Sequence, residues 1–203
     1  GTYREWPDRR MHLVLGDHIR NGWLQMYCLH HVHDESWYQD WKHPGARAWR
    51  HVQYDNYVRH EVVPFSYARN PNDFIIATGA SLGAYDAAVF ALRNPDVVRR
   101  LVGMSGRYDI TKLTGGYADR TVDMVNPVAL AAGPLDAAQY AGLRRMDIIM
   151  AVGLTDPALD TNRQLSGILW GRGVGNALRE WQGFAHDWPW WERMIRLYVG
   201  GHD

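Results

Sequence analysis

Residues 74–92 read FIIATGASLGAYDAAVFAL, and the fold turns on them. Phe74 to Thr78 is a short apolar run of the kind that fills a buried strand. From Leu82 the chain becomes rich in alanine, the best helix former, until Asn94-Pro95, where the residue before proline is pushed out of the helical region. Between the two lies Gly79-Ala80-Ser81-Leu82-Gly83, which fits G-x-S-x-G. A serine at such a strand-to-helix turn sits on a strained backbone that lifts its hydroxyl above the sheet. Both flanking glycines are read as places where strand and helix approach too closely for a side chain. Leu82 opens the helix, so its N–H lacks an intrahelical partner and points toward the oxygen of an acyl group held by the serine.

A serine hydroxyl is a weak nucleophile until a base takes its proton and a carboxylate orients that base. On this kind of sheet the expected order is Ser, then Asp or Glu, then His. Asp156 lies in VGLTDP, just past the apolar run 147–152, and His186 lies in GFAHDW, just past 177–182. Both follow the C-terminal ends of strand-like runs, the edge where open α/β sheets place their sites. Of ten histidines only His186 and His202 come after Ser81, and His202 is next to the last residue. Asp160 competes for the acid role but lies farther from its strand. Asp187, adjacent to the base, is expected to point away.

Outward from this centre, strands are expected at 23–29, 73–78, 100–104, 147–152 and 177–182. Helices are expected within 11–20, from Pro44 to about Val63, and at 82–93, 158–171 and 188–199. Pro44 suits a first helical turn, where its missing N–H is not needed. This alternation is the pattern of an α/β fold, a mostly parallel sheet covered by helices on both faces. Segment 105–146 is irregular, with Asn126-Pro127 and Gly133-Pro134, and sits where a cap over the site is expected.

The bulk numbers narrow the function. A chain of 203 residues, 46% hydrophobic and 22% charged, suits one domain over 1–203. Its net charge is zero, which argues against nucleic acid or an anionic membrane as partner. No apolar run approaches the roughly 20 residues of a membrane helix, and GTYREWPDRRM lacks the apolar core of a signal peptide. The single cysteine, Cys28, rules out an internal disulfide framework and fits a reducing, cytoplasmic setting. The expected partner is a small-molecule ester, with self-association left open.

Two clusters invite other readings. His30, His31 and His33 have H-x-x-H spacing on a loop, but zinc needs a further fixed ligand, so no metal and no cofactor is expected. That loop follows the first strand-like run, which makes Glu35, Trp37 and Tyr38 candidate pocket residues. WPWW at 188–191 opens the helix after His186. Its role is read first as anchoring that helix and fixing His186, with Trp188 also a candidate for an aromatic pocket wall.

Taken together, ESWY (35–38), HVQYDNYVRHEVVPF (51–65), TGASLGAYDAAVFALRNPD (78–96), SGRYDI (105–110) and HDWPWW (186–191) resemble the α/β-hydrolases of the putative esterase family, including esterase D-like and polyhydroxyalkanoate-depolymerase-like enzymes. The resemblance implies a three-layer α/β-hydrolase sandwich and serine hydrolysis of carboxylic esters. Ser81 would be the nucleophile, His186 the base, Asp156 the acid and Leu82 an oxyanion donor. An acyltransferase on the same triad, or an inactive hydrolase-fold interaction protein, are the alternatives. Such folds usually have eight strands, and the five read here match the last five. The N-terminal strands and the second oxyanion donor are thus expected to be lacking, with Gly1 and Thr2 as candidate remnants of the oxyanion loop.

Overall fold

The computed structural model describes residues 2–201, so Gly1, His202 and Asp203 lie outside the described residues. Short helices α1 (Glu5–Asp8), α2 (Met11–Val14) and α3 (Gly16–Arg20) come first. Helix α4 (Pro44–Tyr57) starts on Pro44, with the His43 side chain accepting from the Gly45 N–H. It continues through a π-type turn at Val58–Val62 into α5 (Val63–Tyr67). Pro64 cannot donate to an α-type ladder, and a wider turn just ahead of it re-registers the hydrogen bonds.

Then comes the sheet: β1 (Ile75–Ala80), α6 (Leu82–Arg93), β2 (Val98–Met104), three helices α7 (Arg120–Asp123), α8 (Pro127–Ala132) and α9 (Ala137–Arg145), β3 (Asp147–Gly153), α10 (Leu159–Gly171), β4 (Ala177–Trp181) and α11 (Trp188–Tyr198). The four strands are all parallel, in the order β1-β2-β3-β4. Side chains on a strand alternate between faces, and the core divides accordingly. Leu101, Ile148 and Met150 pack with α6, α8, α9 and α10 on one face. Val102, Met104, Ile149 and Ala151 pack with α2 and α11 on the other. A third cluster joins α4, α6 and α7 through Val52, Tyr85, Val89, Val122 and Val125. Helix α6 is buried almost all round, which is why its sequence is apolar rather than amphipathic.

Two expectations change. Residues 23–29 are not a strand: they form no regular secondary structure and pair with no strand of the sheet. A cavity of about 1110 Å³ lies between them and the outer edge of β1, touching Trp23 to Leu29 on one side and Phe74 to Ser81 on the other. High β-propensity makes a strand only where a neighbour stands within hydrogen-bonding reach. Segment 105–146, expected as a cap, packs into the core instead. Tyr108, Ile110, Val125, Ala131 and Leu143 are buried there, and no residue of the segment lines the cavity. No helix among the described residues is long and apolar enough to cross a membrane.

Candidate active site

The site is assembled from the C-terminal tips of β1, β3 and β4. Ser81 follows β1 directly and has φ 55° and ψ −118°, a conformation L-residues adopt only under constraint. Its N–H donates to the Met104 carbonyl (2.8 Å) and its C=O accepts from Tyr85 N–H (3.2 Å), which ties the bend to β2 and to α6. Gly79 is required: a Cβ there would stand 2.2 Å from the Gly83 carbonyl oxygen. Gly83 is not, since a Cβ there meets nothing within 4 Å, contrary to the reading of both glycines as close approaches.

Asp156 lies past β3 and His186 past β4, and backbone bonds zip the two loops together. Leu154 N–H donates to the Trp181 carbonyl (2.8 Å) and Thr155 N–H to Gly183 (3.0 Å). Gly153 allows the approach, because a Cβ there would be 2.1 Å from the Phe184 carbonyl oxygen. The result is a continuous relay. His186 Nδ1 stands 2.9 Å from Asp156 Oδ2, and His186 Nε2 stands 3.1 Å from Ser81 Oγ. A carboxylate only accepts, so Nδ1 carries the proton and Nε2 is left to accept from the serine. Burial pushes the Asp156 carboxyl up. Hydrogen bonds from His186 and from the Ala158 N–H (2.8 Å), with Ser105 helping, outweigh it and hold the group below the usual carboxylate range.

The other named residues divide. Leu82 is the first residue of α6 and lines the cavity beside Ser81, and Tyr38 and Trp188 line it too. Thr2 is exposed at the same cavity. Trp37 does not reach the cavity wall. It is buried in the third cluster against Tyr85 and His51, ring centroids 6.2 Å and 6.0 Å away, because the 33–38 turn folds it inward. Glu35 is exposed and pairs with Arg50 at 2.8 Å. Asp160 is exposed on the first turn of α10, and Asp187 caps α11 by accepting from Trp188 N–H.

Sequence reasoning missed the supports behind the imidazole. Trp191 packs edge-on against His186, centroids 5.3 Å apart, and donates from Nε1 to Ser105 Oγ (3.2 Å). Ser105 in turn lies 3.3 Å from the carbonyl of Ala185, the residue before His186. Ser105 and Ala185 both hold positive φ, 52° and 45°. Only WPWW signalled this shell, and the support comes from its last tryptophan while Trp188 packs on Trp191 (5.2 Å).

A family profile described as putative esterase matches residues 29–196. The chain belongs to that family. Membership places it among enzymes that hydrolyse carboxylic esters. Among solved structures, the esterase is similar to a ferulic acid esterase, with 21% identity over 97% of this chain and 78% of that one, and a TM-score of 0.68. It is also similar to an S-formylglutathione hydrolase from Agrobacterium tumefaciens (14% identity, 71% of this chain and 55% of that one, TM-score 0.57) and to another from Staphylococcus aureus (18%, 74% and 61%, 0.52). At these identities the likeness shows the fold, an α/β-hydrolase sheet. No curated protein matches the chain.

Proposed function

We propose that this esterase cleaves small-molecule carboxylic esters through an acyl-enzyme, with Ser81 as nucleophile, His186 as general base and Asp156 as the orienting acid. The observation that carries the reading is the pair of hydrogen bonds in series, 3.1 Å from Ser81 to His186 and 2.9 Å from His186 to Asp156. In the first half-reaction His186 Nε2 accepts the Ser81 proton as Oγ attacks the acyl carbon, and Asp156 stabilises the imidazolium. The oxyanion faces the Leu82 N–H at the positive end of α6. His186 then gives its proton to the leaving alcohol. In the second half-reaction a water, deprotonated by the same nitrogen, attacks the acyl carbon and releases the acid. The ester enters from the cavity, where Ser81 lies with Leu82, Tyr38, Trp188 and Trp191.

A fluorophosphonate probe tests the reading. One tag per chain is expected on Ser81, with Ser81→Ala losing both the tag and about 10⁶-fold in turnover of a short acyl ester. A tag that persists in Ser81→Ala removes the serine from the mechanism.

A further inference from the structure

A second group of histidine and carboxylate side chains lies away from the relay. His33 is on a short 3₁₀ turn (His33–Glu35), His51 on α4 and Asp86 on the second turn of α6. Their donor atoms all lie within 4.8 Å of one another. His33 Nε2 is 2.9 Å from Asp86 Oδ1, and His51 Nε2 is 3.6 Å from the same oxygen, too long for a hydrogen bond. His51 is 1% exposed, and its Nδ1 has no hydrogen-bond partner among the described residues. A buried imidazole nitrogen left without a partner is unusual, because buried polar groups are normally satisfied.

We propose that His33, His51 and Asp86 form a site for one divalent first-row transition cation, zinc foremost, opening on the cavity. Two imidazoles and one carboxylate from three separate segments are a donor set suited to such ions. Ligands about 2.0–2.2 Å from a tetrahedral ion stand about 3.3 Å apart, and the two distances to Asp86 straddle that value. His33 and Asp86 line the cavity, so the fourth position faces it and takes water, while His51 closes the site from behind. Trp37 and Tyr85 wall the His51 ring, at 6.0 Å and 5.1 Å. The trio differs from the H-x-x-H reading of the loop: His33 serves, but its partners come from α4 and α6. Bound there, the ion clamps the 33–38 turn and α4 onto the helix that starts at Ser81.

The test is zinc titration of the chelator-treated full chain by calorimetry, with thermal unfolding alongside. One zinc per chain is expected, raising the melting temperature by about 5–10 °C at a hundredfold excess over Kd. Asp86→Asn and His51→Phe should each weaken binding by about 10-fold or more. His30→Gln and His186→Ala should bind as the unaltered chain does. Should His51→Phe fail to fold, Asp86→Asn decides together with cobalt(II) substitution, whose intense visible band is expected for a four-coordinate site. No binding, binding retained in Asp86→Asn, binding lost with His30 or His186, or a six-coordinate cobalt spectrum each overturns the site.

Discussion

Two histidine–aspartate groups flank the start of α6, and they are finished to different degrees. In the first, every bond is made: Ser81 to His186, His186 to Asp156, and Asp156 to the Ala158 N–H. In the second, His33 holds Asp86 at 2.9 Å while His51 stops at 3.6 Å and keeps a nitrogen unpaired. Both reach one cavity, through Ser81 in the first and through His33 and Asp86 in the second. A completed chain of hydrogen bonds fixes tautomer and ring orientation, which suits proton transfer. A half-completed one leaves bonding capacity over, which suits a ligand. The contrast is between a group whose hydrogen bonds are all made and one with bonding capacity to spare.

The sharpest way to break the first group while keeping its shape is Asp156→Asn. The amide would donate to Nδ1, forcing the proton onto Nε2, where it blocks acceptance from Ser81. Turnover of a short acyl ester is expected to fall by about 10⁴-fold with the fold retained. Steady-state kinetics beside a circular dichroism melt checks this. A loss of only a few-fold would mean that Asp156 does not set the tautomer.

The next contrast lies between two glycines. Gly153→Ala places a Cβ 2.1 Å from the Phe184 carbonyl, so the loop carrying His186 has to move. A shift near 1 Å is expected to lower kcat/KM about 10²-fold, since relay geometry is unforgiving. Gly83→Ala adds a Cβ that meets nothing, in the first turn of α6. It is expected to raise stability by about 0.5–1 kcal/mol and leave kcat/KM near that of the parent. Urea unfolding and kinetics on the pair read both effects, and equal damage from the two would contradict the packing argument.

This pair also shows what the sequence could carry. Helix α6 and the turn before it were legible because proline, alanine content and the strand-to-helix switch are all local. Ser81, Asp156 and His186 could be picked as a set because each follows a strand-like run, in a fixed order. Gly83 was over-read, since the motif does not say which glycine faces backbone. Residues 23–29 were over-read because strand identity depends on a neighbour the local pattern cannot supply. Ser105 and Trp191, 86 residues apart, meet only after β2 and α11 pack. His51 and Asp86 hide inside helical patterns, where a polar residue ordinarily marks the solvent face.

The smallest effect expected concerns acid. Hydrogen bonds hold the Asp156 carboxyl below its ordinary value in the folded protein despite its burial. The unfolded chain therefore takes up that proton first as pH falls, at about 3.9. By linkage, the Asp156 contribution to stability is fully present above that value and is lost as pH drops through the lower, folded one. The stability gap between the unaltered chain and Asp156→Asn is thus expected to be constant from pH 7 to pH 5 and to narrow below pH 4. Urea midpoints at pH 6 and pH 3 measure it. A gap that widens in acid would mean that burial, not the hydrogen bonds to His186 and Ala158, dominates the carboxylate. The acid arm of the relay would then be held less firmly than its 2.9 Å contact indicates.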